Sequence, residues 1–299
     1  MNNQLKTIAL VGALAALVVG VGGALAPGHV YLFAGLALLM NVGAYFFSDK
    51  IVLRMHHAQQ VERHQAPELY GMVEELANNA RIPVPRVFII PDQQPNAFAT
   101  GRNPAHGVVA VTDGIMRILS PRELRGVLAH EIAHIKNRDI LLSSIAAVLV
   151  SFITSVANML SFAAFFGGAQ SDEEEGGSPA GGLLMALVAP IAATLVQLGI
   201  SRSREFQADK LGAELSGDPE ALANALLKLE RGVQVIPSEQ PHPATASMFI
   251  VNPLTGAGSV MQLFSTHPAT QERVRRLSEM ARGALKSAGT GFARPGFVE

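Results

Sequence analysis

Residues 128–139 read LAHEIAHIKNRD, and the 27 residues that follow, 140–166, contain no charged side chain. His130 and His134 are four residues apart, with Glu131 beside the first. On a helix this spacing puts both imidazoles on one face, where they can reach a single metal ion. Glu131 lies one step round the helix, so it can instead approach a water held on that ion. The stretch therefore predicts a metal site next to an apolar segment of membrane length.

The composition limits the classes of protein and of site that are possible. Of the 299 residues, 49% are hydrophobic and only 16% are charged, whereas soluble proteins have about 25% charged residues. The net charge of −1 gives no electrostatic case for nucleic acid as a partner. There is no cysteine, which excludes disulfides, thiolate metal sites and cysteine nucleophiles. Any metal must therefore be held by His, Asp or Glu.

Four apolar runs occur, at residues 7–26, 30–47, 140–166 and 181–200, and none contains Asp, Glu, Lys or Arg. Each has about the 20 residues that a helix needs to cross a hydrocarbon core. We expect about four transmembrane helices. A signal peptide is the alternative for the first run, and a buried helical hairpin in a soluble protein is the alternative for the third and fourth.

The charges that flank these runs predict an orientation. The loop 167–180 contains no Lys or Arg, whereas residues 48–139 and 201–299 carry basic residues close to the apolar runs. The positive-inside rule therefore puts those two parts in the cytoplasm and the acidic residues 172–175 on the other side. The chain is expected to divide into four parts. These are an N-terminal transmembrane pair (1–48), a cytoplasmic part with a β-sheet and the HEIAH helix (49–139), a transmembrane hairpin with an acidic external loop (140–200) and a second cytoplasmic part with C-terminal helices (201–299).

Short strands precede the HEIAH stretch. Residues 67–81 have apolar side chains at helical spacing. Residues 86–90, 96–100 and 106–112 are apolar segments bounded by Pro or Gly, which is typical of strands. Three short strands followed by a helix predict a small mixed sheet and an α+β, mainly helical, membrane protein.

The helix that carries the two histidines has a clear start. Ser120, Pro121 and Glu123 form the pattern of a capping box with proline in the first turn. No stop signal occurs before residue 140, so we expect the helix to continue into the third apolar run. Further helices are predicted on both sides of Gly217 and at residues 269–285, with a loop-rich excursion at 233–262.

The residue types of the HEIAH stretch suit peptide hydrolysis. Zinc lowers the pKa of bound water from 15.7 to about 7, and a nearby carboxylate can take the proton as that water attacks a carbonyl. Two histidines are not enough to hold the ion, so a third ligand is required.

Glu205 and Asp209 are the best candidates to complete the site. They are four residues apart on a predicted helix that starts where the fourth run ends, on the same membrane side as His130. Glu205 could serve as the third ligand, and Asp209 could accept a hydrogen bond from a ligand imidazole. The alternative is a solvated charged face in which both acids pair with Arg202 and Arg204.

The other histidines are weaker candidates for a ligand. We expect His29 on the far side of the membrane, a surface cluster at His56, His57 and His64, and turn or loop positions for His106 and His242.

The ordered set of motifs resembles the HtpX type of bacterial membrane zinc metalloprotease, which is related to the CAAX prenyl proteases and OMA-type proteases. The set comprises NAFATG at 96–101, HEIAHIKNRD at 130–139, SREFQAD at 203–209 and STHP at 265–268. The likeness covers nearly the whole chain. It implies a gluzincin-like protease domain and one Zn²⁺ per chain.

The resemblance also implies roles for single residues. It identifies Glu131 as the general base and His267 and Arg273 as donors to the oxyanion of the tetrahedral intermediate. By spacing alone, His267 is instead a helix N-terminal residue with no catalytic role. The implied zinc ligands are His130, His134 and Glu205, with Asp209 hydrogen-bonded behind them.

The stretch NAFAT resembles an edge strand along the substrate cleft. An extended substrate would pair with the open backbone edge by β-augmentation. The alternative is a strand whose edge is covered by another element. The residues implied in substrate binding are Asn96, Ala97, Phe98, Ala99 and Thr100.

The function implied by the resemblance is an integral-membrane zinc metalloendopeptidase of the bacterial inner membrane, with its active site facing the cytoplasm. Its expected partners are the lipid bilayer and membrane-protein or peptide substrates, namely misfolded or damaged proteins in quality control and stress response. The alternatives are a non-catalytic membrane zinc scaffold or metal-handling protein, and a dedicated CAAX-type processing protease. Glu131 argues against the first, because metal retention alone does not need it.

Overall fold

A computed structural model describes residues 27–148, 202–238, 243–251 and 268–289, with short pieces at 11–12, 15–16, 18–20 and 150–151. The second apolar run lies wholly within these residues. The fourth run and the acidic loop at 172–175 lie outside them, as do most of the first and third runs. The expectation of four transmembrane helices therefore stays a prediction.

Helix α1, Val30–Met55, has the properties of a membrane span. It is the one helix of the described residues that is long and apolar enough to cross a bilayer, with 26 residues and a mean hydropathy of 1.8. At 1.5 Å per residue it is roughly 39 Å long, which exceeds the hydrocarbon thickness of about 30 Å. Only 11% of its apolar window is buried, whereas the core helix of a soluble protein would be mostly buried.

The globular part contains one sheet and six more helices among the described residues. The sheet has the order β1-β2-β4-β3, in which β2 and β4 are parallel and the two outer pairs are antiparallel. The expected small mixed sheet is thus confirmed. The strands are β1 (Gln59–Val61), β2 (Arg86–Ile90), β3 (Ala97–Thr100) and β4 (Val108–Thr112); the helices are α2 (Pro67–Ala80), α3 (Asp113–Ile118), α4 (Pro121–Lys136), α5 (Arg202–Ser216), α6 (Pro219–Val235) and α7 (Thr270–Gly289).

Strand β1 was not predicted. Its sequence, Gln-Gln-Val, has two exposed polar residues and no alternating pattern. It pairs with β2 along one side of the sheet. Strand β4, at the centre, is buried at all five positions, because it has a strand on each side and helices pack against its faces.

Helix α4 begins as predicted. The Ser120 hydroxyl accepts a hydrogen bond from the Glu123 backbone N–H, and the Glu123 carboxylate accepts one from the Ser120 backbone, which completes the capping box. The expected continuation into the apolar run is wrong. The helix ends at Lys136, and Arg138 adopts the left-handed conformation with φ 58°. Helical backbone resumes only at residue 140, so the chain turns directly after the second histidine.

Helices α4 and α5 approach each other closely at Gly212. A Cβ atom on Gly212 would lie 2.9 Å from both the Cα and the backbone nitrogen of His130. Because these are backbone atoms, they cannot move aside as a side chain could. Glu205 lies about two turns before Gly212 on α5, and the close approach brings it over the histidine face of α4.

We expect the substitution Gly212→Ala to force α4 and α5 apart. Overpacking of this kind costs about 1–3 kcal/mol, against a gain of about 1 kcal/mol in helix propensity. The variant should therefore have a lower Tm and bind less metal than the wild type, as measured by thermal unfolding and by metal analysis of the purified protein.

Gly71→Ala in α2 is the matched control, because a Cβ there meets nothing within 4 Å. It should be neutral or stabilising. Equal Tm and equal metal content in the two variants would show that the close approach at Gly212 is not needed.

Candidate metal centre

The two histidines of α4 project together from one face of the helix. Their Nε2 atoms are 3.2 Å apart. His130 is almost completely buried, while the His134 side chain is 15% exposed. The difference follows from their positions, because His130 faces α5 and His134 lies one turn nearer the end of α4.

Glu205 completes a three-residue cluster with these histidines. Its carboxylate oxygens lie 3.7 Å from the His130 Nε2 and 3.5 Å from the His134 Nε2. Zinc–nitrogen bonds of about 2.0–2.1 Å would place neighbouring donors of a tetrahedral site roughly 3.4 Å apart. The three residues each offer one ligand atom, and all lie within 4.8 Å of one another. The residues present therefore fit a small divalent metal ion.

A solvated charged face does not describe this part of α5. Glu205 and Asp209 are 6% and 3% exposed, and Arg204 is 8% exposed. Arg204 lies 3.8 Å from an oxygen of Asp139. Acids buried this deeply need specific partners, which a water-exposed surface would not supply.

Two carboxylates contact the imidazoles of His130 and His134 from behind. An Asp209 oxygen is 3.0 Å from the His130 Nδ1, and an Asp139 oxygen is 3.2 Å from the His134 Nδ1. Such contacts fix the tautomer that leaves Nε2 free to bind a metal. Asp139 was not predicted, although it closes the quoted stretch. The turn after Lys136 brings Asp139 back to His134, and no local sequence pattern predicted that turn.

Arg273 lies behind the cluster. It is 2% exposed and donates two hydrogen bonds to the carboxylate of Asp209, at 2.8 and 2.7 Å. Its Nη1 donates to the carbonyl oxygen of Ile250 at 2.9 Å. The guanidinium is thus engaged with Asp209 and Ile250, and its Nη2 also lies 3.4 Å from the Nε2 of His130. Arg273 is not among the residues that line the cavity beside Glu131. His267 lies outside the described residues.

Glu131 is placed beside a small cavity. It is 2% exposed, and the cavity of about 30 Å³ is lined also by His134, Glu205 and Ala99. That volume suits one or two water molecules. Burial raises the pKa of Glu131 to about 7, although the charge of His134 and a backbone hydrogen bond from Ala99 act to lower it. A carboxyl with a pKa near neutrality can both accept and return a proton.

The pKa values of the other charged groups are moved by their neighbours. Burial, with the charges of Arg273 and His134, lowers the pKa of His130 to about 4. Burial also acts to lower the pKa of His134, but Glu205, Asp139 and Glu131 raise it to about 9. Burial alone would raise the pKa of Asp209. The Arg273 guanidinium and the hydrogen bonds to the carboxylate outweigh this effect and hold the pKa well below its usual range. Asp209 is therefore ionised at neutral pH.

The predicted substrate strand, β3, is one of the two outer strands of the sheet, and part of its edge is occupied. The backbone N–H of Ile250 donates to the carbonyl oxygen of Ala97 at 3.1 Å. The Asn96 side chain donates to the carbonyl oxygen of Val251 at 2.8 Å. The Phe249 ring packs edge-on against Phe98. At Ala97 the structure thus has the covered edge that was the alternative to an open one.

Thr100 and His56 have structural contacts. The Thr100 hydroxyl bonds the Ser144 hydroxyl at 2.7 Å. His56 is buried, with its Nε2 2.8 Å from the Thr245 hydroxyl and its ring against Phe98. The expectation that His56 belongs to a surface cluster is therefore wrong. Among the described residues, the metal-ligand cluster includes no further histidine.

Comparison with known proteins agrees with this geometry. Residues 63–281 match peptidase family M48. Two relatives named "Protease HtpX homolog" are each 53% identical to this chain. The relative from Syntrophobacter fumaroxidans matches over 94% of this chain and 100% of its own length. The relative from Burkholderia thailandensis matches over 94% of this chain and 98% of its own length.

A solved structure is also similar. The crystal structure of S. mikatae Ste24p aligns with a TM-score of 0.49 and 18% sequence identity, covering 92% of this chain and 65% of that one. The family match spans most of the chain, and the relatives match over nearly their whole length at high identity. On these grounds the chain belongs to peptidase family M48, as a metalloprotease of the HtpX type.

Proposed function

We propose that this chain is an integral-membrane, zinc-dependent endopeptidase that cleaves misfolded or damaged membrane proteins. The observation that carries the proposal is the convergence of His130, His134 and Glu205 beside the buried carboxyl of Glu131. A site that only stored metal would not need a buried carboxyl at a water-sized cavity.

Zinc is the proposed metal. Two imidazoles and one carboxylate, with room for a further oxygen ligand, are a donor set typical of catalytic zinc. Bound there, zinc would supply a Lewis acid that polarises the peptide carbonyl and lowers the pKa of water.

The residues of the chain would handle the protons. Glu131 would take a proton from the attacking water and return it to the leaving amine, because its buried carboxyl lies at the same small cavity as His134 and Glu205. Asp209 and Asp139 would hold the two imidazoles in the required tautomer. The resemblance assigns oxyanion stabilisation to His267 and Arg273; the contacts of Arg273 with Asp209 favour a positioning role for the latter.

The packing of α4 against α5 supports the proposed topology. Helix α4 precedes the third apolar run and α5 follows the fourth, yet the two helices are in direct contact at Gly212. This contact supports an intervening chain, 140–200, that begins and ends on the same side of the membrane, as a transmembrane hairpin does. The basic flanks favour the cytoplasmic side of the bacterial inner membrane, and the four-part division of the chain is proposed on the same grounds.

Substrate would enter along β3 as an added strand. Ala99 lines the cavity beside Glu131, whereas the carbonyl oxygen of Ala97 is held by Ile250. A substrate that pairs with Ala97 must first displace residues 249–251.

The substitution Glu131→Gln should abolish cleavage and leave metal binding intact. It removes the proton acceptor but none of the three proposed ligands, and general-base catalysis contributes 10²–10⁴-fold. Cleavage of an unfolded membrane-protein substrate and zinc content should be measured on the same preparation. Glu214→Gln, on the exposed face of α5, is the control, and cleavage by Glu131→Gln at the rate of that control would refute the mechanism.

The substitution Asp139→Asn should weaken zinc binding by about 10–100-fold, as is usual when the hydrogen-bond partner of a ligand imidazole is lost. The zinc dissociation constant, measured by competition with a chelator, is the test. Asp209→Asn should have an effect of the same kind. Asp113→Asn, in α3, should leave the constant unchanged. If the zinc dissociation constant of Asp139→Asn equalled that of Asp113→Asn, Asp139 would have no role in orienting His134.

The substitution Ile250→Pro should lower KM for an extended peptide by about five-fold. It removes the N–H that occupies the Ala97 oxygen, and one such hydrogen bond is worth about 1 kcal/mol. Ile250→Ala is the control, because it truncates the same buried side chain but keeps the N–H. A KM for the proline variant equal to or above that of the alanine variant would exclude competition between residues 249–251 and substrate.

A further inference from the structure

A second cavity lies where α1 meets the globular part, away from the metal centre. Its volume is about 460 Å³. One wall of the cavity is apolar and is formed by α1, and the other wall is formed mainly by basic side chains. The apolar wall includes Val42, Phe46 and Phe47, and the cationic wall includes Lys50, Arg86 and Arg102.

Positive charge is in excess at this cavity. The acid that lines it, Asp49, is already paired with Arg86 at 2.8 Å. Lys50 and Arg102 have no carboxylate partner among the ion pairs of the described residues. Lys50 lies over the ring of Phe47 and Arg102 over that of Phe46, at 5.4 and 5.5 Å from the ring centroids. Arg102 also contacts His106, with its Nη2 2.6 Å from the imidazole Nε2. The two cations are therefore held close to the apolar wall, and no carboxylate among the described residues neutralises their charge.

The cavity lies at the depth where lipid headgroups are expected. The apolar part of α1 runs from Val30 to Phe47, which is roughly 26 Å at 1.5 Å per residue, close to the thickness of a hydrocarbon core. Lys50 follows within one turn. Val42, Phe46 and Phe47 are 45%, 47% and 50% exposed, so the apolar wall is open to an acyl chain.

We propose that this cavity binds one anionic phospholipid. The phosphate lies between Lys50 and Arg102, where it meets the excess positive charge, and an acyl chain lies along Val42 and Phe46. Basic pockets at membrane-spanning helices bind anionic headgroups in this manner. An inorganic anion would find the same charge but would leave the apolar wall uncovered. The site is independent of the metal centre, so it extends the proposed function without depending on peptide cleavage.

The test is a binding measurement on the full-length protein in a neutral detergent. The ligands are phosphatidylglycerol and phosphatidylcholine with identical acyl chains, and binding is followed by native mass spectrometry. Each basic residue near an anionic surface contributes about 1 kcal/mol, so two residues should favour phosphatidylglycerol by about 30-fold. Equal affinity for the two lipids would overturn the proposal.

Variants identify the site. Lys50→Gln combined with Arg102→Gln should lose most of the preference for phosphatidylglycerol, about 10-fold or more. The matched control combines Lys210→Gln with Arg63→Gln, which removes one Lys and one Arg that do not line this cavity, and it should keep the preference. Wild-type preference in the first double variant would overturn the proposal.

Two further measurements test the acyl-chain contact and distinguish a lipid site from an ion site. Phe46→Ala leaves the charges in place and should weaken binding of both lipids several-fold; unchanged binding would contradict the acyl-chain contact. Inorganic phosphate at millimolar concentration should not displace phosphatidylglycerol, and full displacement would indicate an ion site instead of a lipid site. Because no readout uses proteolysis, a failure here would leave the proposed peptidase activity untouched, and the reverse also holds.

Discussion

Helices α4 and α5 touch at Gly212, where the backbone of one helix lies directly against the backbone of His130 in the other, and the metal centre depends on that contact. It brings Glu205 to the imidazoles, and it also buries the charged groups around them. Burying ionised groups costs several kcal/mol for each one unless it is paired. In this cluster, ion pairs offset the cost of burial. Asp209 pairs with Arg273 and His130, and Asp139 pairs with His134.

Arg273 connects this buried cluster to the rim of the cleft. One side of its guanidinium holds Asp209, and the other donates to the carbonyl of Ile250. The same Ile250 donates its N–H to Ala97 on β3. The groups behind the candidate metal site and the groups that cover the edge of β3 are therefore in one hydrogen-bonded chain. A displacement of residues 249–251 would remove the carbonyl oxygen of Ile250 as a hydrogen-bond acceptor for Arg273.

The sequence allowed prediction wherever a local pattern determines the structure. The capping box at Ser120, the helical spacing of α2 and the strands β2 and β4 depend on residues a few positions apart, and the structure has them. His130 and His134 could be predicted from their helical spacing, whereas Glu205 was predicted from its expected side of the membrane and from the resemblance to the HtpX type. The features that were not predicted depend on residues far apart in the sequence or lack a local pattern. Strand β1 has no alternating pattern, and His56 is buried by contacts with Thr245 and Phe98. The turn that brings Asp139 back to His134 contains no glycine or proline.

The order in which the ligands occur along the chain sets a sequence of events during synthesis. Glu205 follows His134 by 71 residues, so a ribosome adding about 5–20 residues per second makes it several seconds later. Until then the nascent chain carries the two imidazoles and Glu131, but not the third residue of the cluster. The candidate metal site is thus incomplete while residues 140–200 are being made, and its three residues can come together only once α5 has been made.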